Sequence, residues 1–177
     1  MTTATATPVV ATAADTAART RFVEAMGQVA TGVTVVATEG GTGRCAQTVS
    51  AMCSVSADPP MVLVCVNRRS PAAAAILAHG AFAVNVLADS QADVSDTFAG
   101  RPTRGAPYDF AAASWHAGPH GQPLLDGAVA GFECRVASAH QEGSHTVFVG
   151  SVLRSTAGDG TPLVYHGRGY ARPIPVQ

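Results

Sequence analysis

Residues 47–70 constrain the fold more than any other part of the chain. They hold an uninterrupted apolar run, residues 61–66, which follows Asp58-Pro59-Pro60 and precedes Asn67-Arg68-Arg69-Ser70. A proline pair interrupts a strand, and a short, wholly apolar run is typical of a strand buried on both faces. The segment therefore predicts a turn, a buried central strand and a polar exit.

The remaining segments predict more strands than helices. Helical patterns cover residues 19–30, 71–79 (with Ser70 as N-cap and Gly80 as the stop) and 90–98. Strand patterns cover residues 33–38, 45–55, 61–66, 82–87, 132–136, 146–153 and 163–165, and residues 100–121 read as a long loop. Because the strands do not alternate regularly with helices, the chain is predicted to be mainly β, a barrel core with peripheral helices.

Composition bounds the architecture and the partners. The chain has 177 residues, of which 47% are hydrophobic and only 13% are charged, so one domain with a second subunit covering part of its surface is expected. The net charge of −1 excludes an electrostatic footprint for nucleic acid or acidic membranes. The apolar runs are too short to span a bilayer.

The first residues lack the pattern of a targeting segment. Residues 1–18 are rich in Ala and Thr, with neither a basic region nor an apolar core, so they are not a signal peptide. They predict a flexible tail before a single domain at residues 19–177, and a cytoplasmic location.

Several reaction classes are excluded because the residue types or motifs that they require do not occur in the sequence. All 11 basic residues are arginine, which rules out a Walker lysine and a lysine Schiff base. The four cysteines and six histidines show no metal-ligand spacing, so no metal site is predicted and the cysteines are expected to be buried. No Gly-x-Ser-x-Gly elbow of a serine hydrolase occurs.

One glycine-rich motif has two interpretations. Gly41-Thr42-Gly43-Arg44-Cys45-Ala46 matches the G-x-G-x-x-A dinucleotide fingerprint. That fingerprint requires a helix directly after it, whereas the residues that follow have a strand pattern up to Pro59. We therefore favour a hairpin turn.

Small polar residues flank the apolar run on both sides. Thr48, Ser50, Ser54 and Ser56 fall on alternate positions, which in one strand share a face, either solvated or turned towards a ligand. Asn67 and Ser70 follow the apolar run, where a helix N-terminus beside Arg68 and Arg69 favours a phosphate. Together they favour a pocket for a flat, polar-edged ring that carries a phosphate.

Two further residues have a structural and a functional interpretation. His145, in Gly143-Ser144-His145, is either a solvated loop histidine or, in a redox pocket, a group that holds a nicotinamide amide or supplies a proton. Tyr170 either closes one end of the barrel or stacks on a bound ring.

These residues together resemble the flavin reductase family, the small NAD(P)H:flavin oxidoreductases that supply reduced flavin to two-component monooxygenases. The resemblance runs from about residue 22 to residue 170. Residues 51–56 and the absence of an aspartate before His145 lean towards the pyrimidine-utilisation type within the family. The motifs that carry the resemblance to the family are residues 31–36, 48–50, 54–56, 58–60, 67–70, 82–87, 98–100, 133–134, 143–145 and 163–165, with Tyr170.

The resemblance implies an FMN-binding split β-barrel that forms a homodimer, with the flavin near the subunit interface. It implies His145 as the catalytic residue, on the nicotinamide side with Tyr170. It implies FMN or FAD as the flavin, NADH or NADPH as the electron donor and a flavin-dependent monooxygenase as the recipient of reduced flavin. The implied cofactor-binding residues are Thr31, Gly32, Val33, Gln47, Thr48, Val49, Ser50, Ser54, Val55, Ser56, Asn67, Arg68, Ser70, Phe98, Gly100 and Tyr170.

Two motifs depart from the family pattern. Ala46-Gln47-Thr48 replaces the usual Gly-Met-Thr, and Gly143-Ser144-His145 replaces Gly-Asp-His.

The expected reaction is hydride transfer from nicotinamide C4 to flavin N5. NADH is favoured over NADPH because no arginine is evident for a 2′-phosphate. The alternatives are a flavin-binding protein without nicotinamide activity, and an oxidase or reductase with tightly bound flavin that acts on an organic substrate such as a corrin or an aromatic.

Overall fold

A curled antiparallel sheet of seven strands dominates the computed structural model, which describes residues 13–176. The strand order in this sheet is β3-β2-β6-β9-β10-β5-β4. Smaller sheets join β1, β11 and β12, and β7 with β8. The strands are β1 (Thr31–Gly32), β2 (Thr34–Gly40), β3 (Gly43–Val49), β4 (Met52–Ala57), β5 (Pro60–Asn67), β6 (Ala81–Val86), β7 (Trp115–Ala117), β8 (Pro123–Leu125), β9 (Ala130–Glu142), β10 (His145–Ala157), β11 (Val164–His166) and β12 (Gly169–Ala171).

The two edge strands of the large sheet are neighbours in sequence. Only Ser50 and Ala51 connect β3 to β4, so the sheet curls until its edges approach each other at that end. Within residues 13–176, no ladder of hydrogen bonds joins β3 to β4. The mainly β prediction is confirmed, whereas a closed or split barrel stays a prediction.

The predicted strand at residues 45–55 is wrong, because the chain changes sheet edge in the middle of it. The structure replaces it with β3, which ends at Val49, and β4, which begins at Met52. Thr48 therefore belongs to one edge of the sheet, whereas Ser54 and Ser56 belong to the other. The alternation of hydroxyl groups across this segment does not place them on one face.

The prediction that the strand at residues 61–66 is buried on both faces is wrong for β5, whereas β2 is buried in this way. Residues 34–38 of β2 are all buried, because Val36 packs in one core cluster while Val35 and Ala37 pack in another. On β5, alternate residues (Val62, Val64, Val66) are buried, and those between them are only half-buried. The reason is that none of residues 13–176 forms a layer over the second face of β5, next to edge strand β4.

Local signals place the helices well. The helix α2 (Pro71–His79) has the predicted bounds: Ser70 Oγ accepts a hydrogen bond from the N–H of Ala72 (3.2 Å), and Gly80 has φ 68°. The helix α3 (Ala92–Phe98) follows a 3₁₀ turn. The helix α1 (Ala13–Gly27) begins before the predicted position, within the predicted tail, and residues 1–12 lie outside the described residues. No helix in the described chain has the length and hydropathy to cross a bilayer.

The segment predicted as a loop at residues 100–121 also contains a 3₁₀ turn (Phe110–Ala112) and strand β7, and it packs against α3. Phe98 at the end of α3 contacts Phe110 (ring centroids 5.0 Å apart) and Trp115 (5.5 Å) from this loop, edge to face. Such pairs stabilise by about 0.5–1.5 kcal/mol beyond the area they bury. The Phe98 side chain is 0% exposed, so its predicted contact with a cofactor is not supported.

Candidate functional site

Two adjoining clefts lie where β3 gives way to β4. The first, the His145 cleft, measures about 180 Å³, and the second, the Tyr170 cleft, about 190 Å³. Thr48 and Ser50 line both clefts. The His145 cleft is also lined by Gln47, Val49, Ala51, Cys65, Asn67 and His145, and the Tyr170 cleft by Val33, Ser95, Ala99, Arg101, Tyr165 and Tyr170.

Antiparallel pairing brings Asn67 and His145 together. Asn67 is the last residue of β5 and lies opposite His145, the first residue of β10. Arg68 ties the two adjacent turns, because its N–H donates to Ser144 O (3.0 Å) and its Nη1 donates to Gly143 O (3.1 Å). Asn67 Oδ1 accepts from the N–H of Arg69 (2.9 Å), which closes an Asx turn. The strand ends therefore hold this side of the cleft in place.

His145 has one ring nitrogen engaged and one left for a ligand. Its Nδ1 lies 2.9 Å from Ser144 Oγ. In the neutral tautomer with the proton on Nε2, the Ser144 hydroxyl donates to Nδ1. Nε2–H then remains available to a carbonyl or amide oxygen in the cleft.

Gln47 presents a buried acceptor without a partner. Its side-chain oxygen, Oε1, is inaccessible to solvent and receives no hydrogen bond from the described residues. An unsatisfied buried acceptor destabilises a folded chain by about 1–3 kcal/mol, and a ligand that donates a hydrogen bond removes that penalty. The edge of a flavin ring carries N–H and C=O groups, so this residue and the hydroxyls of Thr48 and Ser50 fit such a ring.

The cysteines are less buried than predicted. Only Cys134 is fully buried, whereas Cys53 is exposed, and Cys45 and Cys65 are intermediate. Burial, followed by the proximity of Cys53, raises the pKa of the Cys65 thiol. Cys65 therefore lines the His145 cleft as a protonated thiol and is a poor nucleophile at neutral pH.

In the Tyr170 cleft, three elements meet through one hydrogen-bond network. Tyr170 on β12 donates its hydroxyl proton to Asp96 Oδ1 (2.7 Å) and lies 2.9 Å from Ser95 Oγ. Thr48 Oγ1 on β3 donates to Ser95 O (2.6 Å). Burial chiefly raises the pKa of Tyr170, and the nearby Asp96 carboxylate raises it further. The phenol therefore remains a hydrogen-bond donor throughout the neutral range.

The sequence of this chain matches the flavin reductase like domain over residues 26–173. It belongs to the flavin reductase family. The prediction of an oxidoreductase of the flavin reductase class is therefore confirmed. Membership of this family leads us to expect flavin and nicotinamide contacts in the two clefts.

Named relatives and solved structures agree with this family. The chain is 39% identical to the FMN reductase (NADH) RutF of Stutzerimonas stutzeri over 86% of this chain and 87% of that protein. It superposes with TM-score 0.80 and 31% identity on the NADH:FAD oxidoreductase SgcE6 of Streptomyces globisporus, solved with NAD and FAD fragments, over 89% and 93% of the two chains. The styrene monooxygenase flavin reductase of Pseudomonas putida superposes with TM-score 0.76 and 30% identity, over 88% of this chain and 99% of that chain.

In this flavin reductase, the clefts bring together about half of the predicted site. His145 and Tyr170, which the resemblance placed on one nicotinamide side, line different clefts that meet at Thr48 and Ser50. The predicted residues that line a cleft are Val33, Gln47, Thr48, Val49, Ser50, Asn67, His145 and Tyr170.

The other predicted residues lie outside both clefts. Ser54, Val55 and Ser56 are on edge strand β4, where Val55 is 50% exposed. Ser70 caps α2, and Gly100 separates the cleft residues Ala99 and Arg101. Thr31 and Gly32 pair with β11, and Arg68 reaches back to the turn before β10.

The sequence interpretation missed the contribution of α3 and of the residues directly after it to the candidate site. Ser95, Ala99 and Arg101 line the Tyr170 cleft, as does Tyr165 on β11. The pattern of residues 90–98 predicts a polar helix, but it does not predict that this helix packs beside β3. A useful signal would have been Ser95-Asp96, two adjacent polar residues on a helix whose neighbours Val94 and Phe98 are buried.

Proposed function

We propose that this flavin reductase reduces FMN with NADH and passes the reduced flavin to a partner monooxygenase. When bound, the two cofactors supply the chemistry, a hydride transfer from nicotinamide C4 to flavin N5. The observation that carries the proposal is the unsatisfied Gln47 oxygen in a cleft bounded by His145 and continuous with Tyr170. FMN and NADH are the flavin and the donor in the printed names of the relatives.

The residues of the chain act mainly by positioning. Gln47 Oε1 accepts a hydrogen bond from the flavin ring edge, and the Thr48 and Ser50 hydroxyls lie where the two clefts meet. His145 Nε2–H orients the nicotinamide amide, since its Nδ1 is held by Ser144. Holding two rings in a reactive geometry needs no strong acid or base, and it supplies much of the rate enhancement of such reactions.

Transfer of reduced flavin to a monooxygenase is supported by the solved relatives. One is the flavin reductase of a styrene monooxygenase, and another is the flavin reductase component of a two-component tryptophan halogenase. Mixing this chain, NADH and FMN with a flavin-dependent monooxygenase that has no reductase of its own should give oxygenated product. Product formation that does not depend on this chain would contradict the transfer. The cytoplasmic location stays a prediction.

A second copy of the chain is proposed to cover the outer face of β5 and β10. Val149 lies opposite Leu63 and Val147 opposite Cys65, all half-buried on the face away from the core. This face continues into the His145 cleft, which is lined by Cys65. Each cleft alone is smaller than the roughly 300 Å³ at the lower end of ligand pockets, so a second subunit would complete the site.

Light scattering after size-exclusion chromatography tests the homodimer. The wild type should have the mass of two chains, and Leu63→Asp should give a single chain with weaker flavin binding, because a charge would be buried at the interface. Leu153→Asp is the matched control, since Leu153 is 40% exposed near the far end of β10. A wild-type protein that is monomeric at micromolar concentration would contradict the proposal.

Steady-state oxidation of NADH, with FMN, FAD, riboflavin or no flavin added, tests the enzymatic function. We expect flavin-dependent turnover without any other substrate. Flavin binding without turnover would instead identify a flavin-binding protein. Flavin that survives dialysis, with turnover only when an organic substrate is added, would identify the tightly bound flavoenzyme.

The role of His145 is tested by His145→Ala, which should lower kcat/KM for NADH by about 10–100-fold, because one orienting hydrogen bond is lost. The matched control is His120→Ala, since His120 is exposed and lines neither cleft. An unchanged kcat/KM in His145→Ala would remove His145 from the site.

A further inference from the structure

Arg101 is an uncommitted cation at the rim of the Tyr170 cleft. Arg101 lines that cleft together with Tyr165 and Tyr170, and it is exposed to solvent. We propose that Arg101 binds the pyrophosphate of NADH and so determines the affinity for the dinucleotide. The inference rests on the proposed function and adds to it a residue that the motifs of the chain did not single out.

The backbone holds Arg101 at this position. The N–H of Ala99 donates to Ser95 O (2.9 Å), and that of Arg101 donates to Asp96 O (2.8 Å). Gly100 between them has φ 75°, a left-handed conformation that glycine adopts without strain and that is typical of a helix C-terminus. The end of α3 therefore directs residue 101 towards the cleft instead of continuing the helix.

Among the described residues, the guanidinium of Arg101 has no carboxylate partner within ion-pair distance. The ion pairs among residues 13–176 involve Arg44, His116 and Arg172, and Arg101 is in none of them. Asp96, the acidic residue of the Tyr170 hydrogen-bond network, accepts a hydrogen bond of 2.7 Å from the Tyr170 hydroxyl. The charge of Arg101 nevertheless reaches the cleft, because it lowers the pKa of Tyr170 and partly offsets the effects of burial and of Asp96.

The chemistry of the reaction indicates which anion would use this cation. FMN has one phosphate, and Arg68 and Arg69 stand beside Asn67 at the opposite side of the joined clefts. The second substrate, NADH, brings a pyrophosphate, whose oxygens match the planar, forked donors of an arginine. The edge-to-face pair of Tyr165 and Tyr170, with centroids 5.7 Å apart, adds an apolar surface for a ring of the same dinucleotide.

Three electron donors that differ in phosphate content distinguish pyrophosphate binding by Arg101 from a general effect of the residue on turnover. They are NADH, reduced nicotinamide mononucleotide, and 1-benzyl-1,4-dihydronicotinamide, which has no phosphate. In Arg101→Gln, the KM for NADH should rise by about tenfold, since an exposed charged hydrogen bond of moderate strength is lost. We expect little change in kcat and an unchanged KM for the benzyl compound. Arg101→Lys should recover part of the loss.

The controls keep each failure distinct. Arg104→Gln removes an exposed arginine three positions along the chain, from a different cleft, and should leave every KM unchanged. Raised ionic strength should raise the wild-type KM for NADH but not for the benzyl compound. A KM that rises for FMN or FAD instead of NADH would assign Arg101 to the flavin phosphate and overturn the inference, as would an equal loss with all three donors. Absence of wild-type turnover with every flavin would overturn the proposed function itself.

Discussion

The Tyr170 hydroxyl donates a hydrogen bond of 2.7 Å to Asp96 Oδ1, across 74 positions of the sequence. This bond fastens the C-terminal strand β12 to α3, and α3 in turn accepts a hydrogen bond from Thr48 on β3 (2.6 Å). The shape of the Tyr170 cleft therefore depends on a contact between distant segments. Its removal should affect both stability and dinucleotide affinity.

Tyr170→Phe tests that contact, because it removes the hydroxyl and keeps the ring. A hydrogen bond to a charged acceptor contributes about 1.5–3 kcal/mol, so we expect the free energy of unfolding to fall by an amount near the lower end, since Tyr170 is half-buried. Urea denaturation measures the loss, and the KM for NADH should rise in parallel. Tyr108→Phe is the control: Tyr108 is 46% exposed and its hydroxyl makes no hydrogen bond within the described chain. Equal stability of the two variants would contradict the prediction.

Gln47→Leu should separate binding from folding. The change removes a buried oxygen without a partner, so stability should be unchanged or higher. Affinity for FMN should fall by about tenfold, which corresponds to one hydrogen bond of about 1.4 kcal/mol. Flavin fluorescence quenching measures the Kd, and Gln141→Leu, at an exposed position of β9, is the control. A variant that loses stability and keeps its flavin affinity would show that Gln47 serves the core instead.

Glu133 is a buried carboxylate that holds the turn before β8. It is 1% exposed, and its Oε1 accepts from the N–H groups of His120 (3.0 Å) and Gln122 (3.2 Å). Glu133→Ala leaves both N–H groups without an acceptor and should lower the free energy of unfolding by about 2–4 kcal/mol. Glu133→Gln retains an acceptor oxygen and should lose less.

Thermal and urea denaturation of these variants provide the measurement. Glu142→Ala, at the exposed end of the same strand, should change stability by no more than about 0.5 kcal/mol. If Glu133→Ala is as stable as Glu142→Ala, the turn does not depend on the carboxylate.

The buried thiol of Cys134 predicts a loss of stability in alkali. Burial, with a smaller effect of the neighbouring Glu133 charge, raises the pKa of Cys134 from 9.0 to about 12. Above pH 9 the unfolded chain therefore releases the thiol proton while the folded chain keeps it, so stability falls as the pH rises towards 12. This residue alone should lower the free energy of unfolding by about 1.4 kcal/mol between pH 8 and pH 10.

Comparison with Cys134→Ala isolates this effect from other groups that titrate in alkali. The variant has lower stability at pH 8, because it leaves a small cavity, but its stability should decline less steeply up to pH 10. Parallel pH profiles for the two proteins would contradict the raised pKa. Reducing agent is present throughout so that disulfide exchange does not contribute.

Short-range signals were enough for several elements. The helix α2 is specified by Ser70, Pro71 and Gly80, which act within one or two turns. The hairpin between β2 and β3 follows from Gly41-Thr42-Gly43, where no helix follows the glycines and Gly43 has φ 96°. In both cases the residues that determine the structure are neighbours, so their pattern can be recognised without knowledge of the fold.

Long-range contacts decided the rest. The sequence by itself determined a mainly β chain, its family and the polar residues around the apolar run. Only the tertiary structure divided residues 45–55 between two sheet edges, put His145 and Tyr170 in adjoining clefts, and buried Phe98 among Phe110 and Trp115. The physical reason is that a strand pattern specifies which side chains alternate but not which strand lies alongside. The pairing of β5 with β10, and of Tyr170 with Asp96, is settled only when the whole sheet curls and packs.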